Sequence, residues 1–401
     1  MKRLATLLTV VTCLTLAAGG CANDWPRFLG PSADGIAPDQ GINLNWAERP
    51  PVKLWQVPLG DDGYAGPAVA EGKVYIVDHA GDQDLVRALS LATGEQLWRF
   101  ASQDSARPYY GFARATPAIA EGKVYTLSRF GLVHCLDATT GAKLWARDLR
   151  ADFNGRLPDY HYAPSPIVDG ERVIVLPGGP DAAVAALDKN TGANVWHGGG
   201  SDVAGYATPV VATLAGVRQY VIFTAASLIG VAAEDGELLW RIPRPAAYDA
   251  NAATPLLLGE RLFISSSYAN SCALVEVTAE GPVIRWENRQ LIARFSTPLL
   301  CNGHIYGISE PDHLVCLDPE TGAARWKQPG FGRGGLVLVD GVILALAGPT
   351  GDLVMVGPSP NGYLELGRFR PLGGQSWTAP IIAQGKVIIR NRSALACFDL
   401  M

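Results

Sequence analysis

One nine-residue phrase recurs along the chain, most clearly as DATTGAKLW at residues 137–145. It returns as DKNTGANVW at residues 188–196 and as DPETGAARW at residues 318–326. Looser copies end at Trp98, Trp240 and Trp286, and an isolated Trp55 starts the series, so that the tryptophans follow one another at intervals of 40 to 51 residues. A period of this length, built from short strands, is typical of a β-propeller.

A second landmark opens each repeat: a small residue, a proline and a short apolar run. It occurs at Gly66-Pro67, Thr116-Pro117, Ser165-Pro166, Thr208-Pro209, Thr254-Pro255, Thr297-Pro298 and Ala379-Pro380, with Gly334-Gly335 in the equivalent place of the seventh repeat. Turns such as Glu71-Gly72 then separate apolar runs, and glycine supplies the positive φ that tight hairpins need. Four short antiparallel strands per repeat predict an all-β fold, an eight-bladed β-propeller over residues 52–401.

The two ends of the repeat series are complementary. The last repeat has its opening at Trp377-Thr378-Ala379-Pro380 but no fourth-strand tryptophan before Met401, whereas the Trp55 strand precedes the first opening. We expect the Trp55 strand to complete blade eight, which closes the ring and hides exposed sheet edges. Residues 21–51, rich in proline and glycine, are predicted to form an irregular arm packed on the surface of the propeller.

Residues 1–20 are predicted to be a signal peptide. Lys2 and Arg3 precede an apolar core, and the small residues Ala18-Gly19-Gly20 precede Cys21. Two outcomes stay open: lipidation of Cys21, as in bacterial lipoproteins, or simple cleavage and release. Both predict an exported protein, periplasmic, outer-membrane-anchored or extracellular, that meets a membrane only through a lipid at Cys21.

The other cysteines give no metal or redox motif. Cys135, Cys316 and Cys397 each precede a hydrophobic residue and an aspartate, so they occupy one equivalent position of different repeats and are predicted to be buried and unpaired. A bond between Cys272 and Cys301 stays open, because it depends on how neighbouring repeats meet. The chain contains no Cys-x-x-Cys segment.

Composition and histidine placement argue against several function classes. The formal net charge is −5 and no basic run is present, which disfavours a nucleic acid partner. The histidines are scattered, without metal-ligand spacing, and Asp78-His79 and Asp312-His313 are interpreted as polar residues at exposed strand ends or turns. No metal site and no catalytic residue is predicted.

The Asp-x-x-Thr-Gly-x-x-x-Trp phrase resembles the tryptophan-docking motif of quinoprotein-type eight-bladed propellers. The resemblance covers about residues 52–401 and fits cleanly in blades two, three and six, whereas blade seven has Phe369 in the tryptophan position. It implies a structural role, docking against the neighbouring blade, for Trp55, Trp98, Trp145, Trp196, Trp240, Trp286 and Trp326.

The resemblance implies two alternative functions. One branch of these propellers comprises dehydrogenases that use pyrroloquinoline quinone (PQQ) and calcium, typically with a disulfide between adjacent cysteines, and this chain has no adjacent cysteines. The other branch is non-enzymatic and includes the lipoprotein scaffold of the outer-membrane barrel-assembly machinery and related secreted proteins, which the arm segment DWPRFLGP (residues 24–31) resembles. We expect a monomeric, cofactor-free propeller that binds envelope proteins, peptides or another ligand; the alternative is a PQQ-dependent oxidoreductase.

The candidate binding residues lie just before the repeat openings. The position three residues before each opening proline, with its flanking loop, is predicted to ring the mouth of the central channel. The candidates are Tyr64, Arg114, His161, Tyr162, Tyr206, Asn251, Phe295, Arg333 and Trp377. An aromatic rim of mixed charge suits a peptide, a glycan or a small ligand. The alternative is that the rings only plug the channel.

Overall fold

The structure is a computed structural model that describes residues 23–60, 62–106 and 110–401. The predicted signal peptide and the lipidation candidate Cys21 lie outside these residues. Within them, no helix combines the length and the apolar character that crossing a bilayer requires.

The described chain forms eight sheets arranged as blades. Two strands precede the first blade, β1 (Ile36–Ala37) and β2 (Val52–Pro58). Blade one contains β3–β6 (Ala68–Ala70, Lys73–Ala80, Gln83–Ser90, Gln96–Gln103) and blade two β7–β10 (Ala118–Ala120, Lys123–Leu127, Leu132–Asp137, Lys143–Asp148). Blade three contains β11–β14 (Ile167–Asp169, Arg172–Val175, Val184–Asp188, Asn194–Gly198) and blade four β15–β18 (Val210–Leu214, Val217–Phe223, Ser227–Ala232, Leu238–Pro243).

The second half of the ring repeats the same antiparallel pattern. Blade five contains β19–β22 (Leu256–Leu258, Arg261–Ser266, Ser271–Thr278, Gly281–Asn288) and blade six β23–β26 (Leu299–Cys301, His304–Ser309, His313–Leu317, Ala324–Pro329). Blade seven contains β27–β30 (Gly335–Val339, Val342–Ala347, Asp352–Val356, Glu365–Phe369) and blade eight β31–β33 (Ile381–Ala383, Lys386–Arg390, Ala394–Asp399). A short helix, α1 (Leu149–Phe153), and a 3₁₀ turn (Ala247–Asp249) lie in loops.

The ring closes through the N-terminal strand, as the sequence predicts. Strand β2 pairs antiparallel with β33, with Trp55 opposite Cys397, and supplies the fourth strand of blade eight. The all-β, eight-bladed prediction is confirmed.

The N-terminal arm does more than cover the surface. Trp25 pairs with Val69 on the innermost strand of blade one, and β1 adds to the innermost strand of blade seven in parallel. Between these points the arm passes blade six, where a Cβ on Gly35 would lie 2.3 Å from Leu299 Cδ2. All these contacts are made beyond the repeat openings, at the far end of the channel from Tyr64. The arm therefore forms the floor of the channel.

The tryptophans hold neighbouring blades together. Trp98 lies against Gly141 of the next blade, where an added Cβ would be 2.5 Å from its ring, and its indole N–H donates to the Ala138 carbonyl at 3.0 Å. The turn glycine has φ +74°, a conformation that glycine adopts readily, and the Trp98 ring leaves no room for a side chain at this position. The same ring-on-glycine contact joins Trp55 to Gly94, Trp145 to Gly192, Trp196 to Gly236 and Trp286 to Gly322.

Trp240 departs from this arrangement. Its indole N–H donates at 2.6 Å to Gln219 Oε1 of its own blade. In the next blade, Gly281 is the turn glycine of the repeated phrase. A Cβ added there would meet nothing within 4 Å, so no tryptophan ring docks on it. The ring still packs in a cluster that includes Leu262 and Val275 of blade five. The lost docking turn explains why a glutamine of the same blade satisfies this N–H.

The cysteines occupy the predicted equivalent positions. Cys135, Cys316 and Cys397 are buried and unpaired, each opposite a blade's fourth-strand tryptophan, which confirms their prediction as buried apolar residues. Cys272 and Cys301 are also free thiols, so the disulfide that the sequence left open is not formed. The Cys272 thiol instead donates to Asn288 Oδ1 at 3.1 Å.

Candidate functional site

A belt of hydroxyl groups surrounds the channel at the repeat openings. In blades one to five, the residue before the opening proline donates its backbone N–H to the side-chain hydroxyl of the equivalent residue in the next blade. The links run from Gly66 to Thr116, Thr116 to Ser165, Ser165 to Thr208, Thr208 to Thr254 and Thr254 to Thr297, at 2.9 to 3.3 Å. The sequence shows these residues before the prolines but not their mutual bonding. The belt ties blades one to six together immediately below the mouth.

A cavity of about 280 Å³ lies inside the ring at this level. Six of the nine predicted site residues line it: Tyr64, Arg114, Tyr206, Phe295, Arg333 and Trp377. Trp25, Phe28 and Leu29 of the arm line the same cavity. These arm residues are not among the predicted site residues, although their apolar side chains within a Pro- and Gly-rich segment were a signal. Because the arm forms the floor, the cavity is open to solvent at the mouth and closed at its far end.

The other three predicted residues serve the loops and do not line the cavity. Tyr162 is buried, and its hydroxyl donates to the Pro177 carbonyl at 2.7 Å. Asn251 is buried too, and its amide donates to the Thr224 and Arg244 carbonyls. His161 meets the ring of Phe130 edge-on at 5.1 Å. Tyr162 and Asn251 thus fix the loop backbone, because buried loops need partners for their carbonyl groups.

One side of the mouth is an aromatic cluster centred on Trp377. Its ring stacks on Tyr64 with a centroid distance of 5.3 Å and an interplanar angle of 15°, and it meets Phe295 at 5.6 Å. The Arg333 guanidinium lies 5.2 Å above the same ring. This Trp377 cluster (Tyr64, Phe295, Arg333 and Trp377) joins blades one, six, seven and eight.

The other side is a row of tyrosines. Tyr160 meets Tyr110 at 5.5 Å and Tyr248 at 5.8 Å, and Tyr248 meets Tyr268 at 6.0 Å. The Tyr206 hydroxyl accepts from the Tyr160 N–H at 2.7 Å and donates to the Tyr248 carbonyl at 3.2 Å. Burial raises the pKa of Tyr206, so the hydroxyl stays protonated and can donate. Tyr206 therefore holds two mouth loops in place besides lining the cavity.

Among the described residues, the charged side chains that line the cavity are all arginines: Arg114, Arg294 and Arg333. Arg294 and Arg333 share the carboxylate of Glu310, at 3.4 and 3.1 Å. Arg114 donates to the Tyr110 carbonyl, and its Nη1 is buried without a hydrogen-bond partner in the described structure. Burial lowers the pKa of Arg114 to about 10, which still leaves it protonated at neutral pH. The cavity is thus aromatic and positively charged.

A buried polar network lies beside the site and corrects one sequence interpretation. Asp78 and His79 are buried within β4 rather than exposed at a turn. The His79 ring nitrogens face Asp84 Oδ1 at 3.0 Å and the Gly81 carbonyl at 2.7 Å. Asp104 receives two bonds from Arg129, both of 2.6 Å. The exposed-turn interpretation failed because β4 and β5, with eight residues each, form a long hairpin whose His79 ring stacks on Phe112 of the loop before blade two.

Potential metal ligands do come together in this network. Ligand atoms of His79, Asp84 and Asp104 lie within 4.8 Å of one another. Each residue is engaged in the hydrogen bonds just described, and the Arg129 charge lies against Asp104, so a cation would have to displace these partners. The absence of a metal site stays a prediction.

The family profile described as "Outer membrane protein assembly factor BamB" matches residues 82–328, more than half of the chain. The chain belongs to this BamB family. A protein of that name from Yersinia pestis is 25% identical over 278 residues, which cover 65% of this chain and 67% of the relative. The family assignment agrees with the predicted resemblance to an outer-membrane assembly scaffold.

Solved structures share the fold of this BamB-family chain. BamB from Moraxella catarrhalis has a TM-score of 0.64 and 17% identity, covering 87% of this chain and 97% of its own. A europium-containing methanol dehydrogenase has a TM-score of 0.73 and 13% identity, covering 94% and 98%. The quinohemoprotein alcohol dehydrogenase of Comamonas testosteroni has a TM-score of 0.68 and 13% identity, covering 94% and 80%. BamB and the dehydrogenases therefore share one architecture, so the fold alone does not assign a function and the side chains of the site must do so.

Proposed function

We propose that the protein is a non-catalytic binding scaffold of the cell envelope whose cavity mouth captures a partner protein or peptide. The observation that carries this is the mouth itself, a solvent-facing aromatic rim above a cavity in which every charged lining residue that the structure describes is an arginine. Aromatic residues and arginine are the side chains that contribute most to protein-binding hot spots. The BamB family assignment, with relatives named as outer membrane protein assembly factors, supports the same proposal.

The proposed location follows from the sequence. Residues 1–20 export the chain, and it works in the periplasm or anchored to the outer membrane by a lipid on Cys21. Globomycin blocks signal cleavage of lipoproteins. If Cys21 is lipidated, the chain in treated cells should keep its signal peptide and show the mass of the precursor. Mature protein of unchanged mass in treated cells would identify simple cleavage instead.

The alternative, a PQQ- and calcium-dependent oxidoreductase, fits the cavity poorly. Calcium takes six to eight oxygen ligands, mostly carboxylates and carbonyls. In the described structure, no carboxylate or side-chain amide lines the cavity, and three arginines do. These residues would repel a divalent cation. Incubation with PQQ and calcium is expected to give neither stoichiometric uptake of the quinone nor dye-linked alcohol oxidation, and either result would overturn the proposal.

The binding role is tested by a pull-down from detergent-solubilised envelope with the full exported chain. The double variant Tyr64→Ala/Trp377→Ala removes two stacked rings of the mouth, and we expect it to lose a partner that the unmodified chain retains. The control variant Leu97→Ala/Leu144→Ala removes two exposed side chains of fourth strands and should retain it.

Melting temperatures separate binding from plugging. If the rings act mainly as a binding rim, the Tyr64→Ala/Trp377→Ala variant melts within a few degrees of the unmodified chain. A large fall in melting temperature together with unchanged capture would show that the rings only plug the channel, and it would contradict the proposed site.

A further inference from the structure

The closed floor of the cavity limits what can enter it. The Val69 N–H donates to the Trp25 carbonyl and the Ile119 N–H to the Pro26 carbonyl, each at 2.8 Å, so the arm is bonded to blades one and two. The arm then crosses to blade six, where Gly35 lies against Leu299, and β1 is bonded to blade seven. A polypeptide cannot thread through a channel closed in this way. The end of a chain, or a small molecule, can reach the interior from the mouth.

The charge of the lining selects between the two ends of a chain. The Glu310 carboxylate is shared by Arg294 and Arg333, whereas no carboxylate among the described residues lies within ion-pairing distance of Arg114. Arg114 Nη1 and Arg294 Nε are buried without hydrogen-bond partners in the described structure, so neither guanidinium group is fully satisfied. An anion in the cavity would bind the side of the Arg114 guanidinium that lines it, through a charge-assisted hydrogen bond. A protonated chain N-terminus would meet repulsion at the same place.

Three further carboxylates of the mouth loops do not line the cavity. Asp62 pairs with Arg392 outside the lining. Asp159 and Asp249 lie on the side of Tyr206, where their charges raise its pKa, and neither lines the cavity.

The uncharged lining of the cavity favours an apolar side chain next to the bound anion. Phe28, Tyr64, Phe295 and Trp377 line the cavity together with small residues such as Ala163 and Ala252. The volume of about 280 Å³ lies just below the ~300 Å³ at which pockets for drug-sized ligands begin, which suits about one or two residues of a chain.

From these observations we infer that the cavity binds the C-terminal end of a partner polypeptide, with its terminal carboxylate on Arg114 and an apolar, preferably aromatic, last side chain against the Trp377 cluster. This rests on the proposed protein-binding function and names the part of the partner that the site takes. Capture of a terminal carboxylate by converging donors is a known mode of peptide recognition.

The test is isothermal titration calorimetry on the full exported chain with three ligands. They are an N-acetylated tetrapeptide ending in phenylalanine with a free carboxylate, the same peptide as its C-terminal amide, and N-acetylphenylalanine. We expect the acid peptide to bind and the amide to bind about ten- to a hundredfold more weakly, as for loss of a charged hydrogen bond. N-acetylphenylalanine should bind more weakly than the peptide, because it lacks the contacts of the preceding residues with the mouth.

Two variants complete the test. Arg114→Gln should lower the affinity for the acid peptide to that for the amide, and should leave the affinity for the amide unchanged. Arg99→Gln, a change of an exposed arginine away from the cavity, should leave both affinities unchanged. Circular dichroism and the melting temperature confirm that each variant is folded.

The outcomes are distinct. Equal affinity for acid and amide, or no binding of either, would overturn the inference. N-acetylphenylalanine binding as tightly as the peptide would assign the cavity to small organic acids and would likewise overturn it. If the mouth-dependent envelope capture described above persists while the peptides fail, the proposed function stands and only the chain-end inference falls.

Discussion

At the residue scale, the docking glycines combine two demands that can be separated. Gly141 and Gly122 have nearly the same backbone, φ +74° and +71°, and lie in the same blade. A Cβ on Gly141 would lie 2.5 Å from the Trp98 ring, whereas a Cβ on Gly122 would meet nothing within 4 Å. We predict that Gly122→Ala costs about 1–2 kcal/mol for the left-handed backbone alone. Gly141→Ala should cost about 1–3 kcal/mol more, through overpacking.

Urea unfolding of the two glycine variants measures the difference. Because the backbone cost is common to both, the excess for Gly141→Ala reports the docking contact. Equal destabilisation by the two substitutions would mean that the Trp98 ring moves freely, and that docking does not join the blades.

The hydroxyl belt gives a second prediction at this scale. The Thr208 hydroxyl accepts from the Ser165 N–H, which is buried. Thr208→Val keeps the shape but leaves this donor unsatisfied, at a cost of about 1–3 kcal/mol. Thr213→Val, at an exposed position of the same blade, should change the free energy of unfolding by less than about 0.5 kcal/mol. Similar losses for both variants in urea unfolding would show that the belt contributes nothing specific.

The His79 network predicts a pH dependence. Burial raises the pKa of Asp84 to about 6, from an ordinary value of 3.8 that the unfolded chain should show. The folded state therefore binds the proton more tightly, so this contribution to stability is fully present below pH 3.8 and is lost as the pH rises through about 6. The charged groups around the pair are Asp78, Asp104 and Arg129, with Arg87 bonded to Asp78.

Asp84→Asn removes the titrating group and should flatten that part of the profile. Between pH 4 and 7 the unfolding free energy of the unmodified chain should fall relative to the variant by about 1–3 kcal/mol. Asp82→Asn, an exposed change in the same hairpin, is the control and should leave the profile unchanged. A rise in relative stability with pH would show that the salt bridge with His79 dominates over burial.

At the scale of elements, the N-terminal arm is predicted to protect the inner strands. Trp25→Ala should speed amide hydrogen exchange at Val69 and Ile119, whose N–H groups donate to the arm. Trp46→Ala is the matched control, because Trp46 is an equally buried arm residue that packs on Phe369 instead. Both changes should destabilise by about 3–5 kcal/mol, so only the site of faster exchange distinguishes them. Faster exchange at Val69 in the Trp46 variant alone would contradict the floor assignment.

The elements also show how far sequence reasoning reaches. The blade period was predictable because glycine, proline and tryptophan act through local geometry, and counting back from each proline located Tyr64, Arg114 and Trp377 in the cavity. The burial of His79 was not predictable, since it depends on Asp104 and Phe112 from the loops beyond the hairpin. Neither was the floor, because an arm without periodicity gives no register against the strands that it crosses.

At the scale of the whole molecule, the fold depends on a contact between distant parts of the chain. Strand β2 fills blade eight, and its removal would expose the edge of β33 and the cluster around Cys397 and Phe398. An unpaired, apolar edge invites association with another chain. Deleting residues 21–58 should therefore give a protein that unfolds at low temperature or forms oligomers, seen by calorimetry and light scattering.

The deletion of residues 21–50 separates ring closure from the arm, because it keeps β2 but removes the floor. We expect this shorter deletion to remain a monomer and to melt cooperatively, at a lower temperature than the full chain, since the buried Trp25 and Trp46 are lost. The ring stays closed only while β2 and β33 are paired. We therefore expect the 21–58 deletion to unfold or form oligomers, and the 21–50 deletion only to melt at a lower temperature. A monomeric 21–58 deletion that melts like the 21–50 deletion would show that seven complete blades hold the ring without closure.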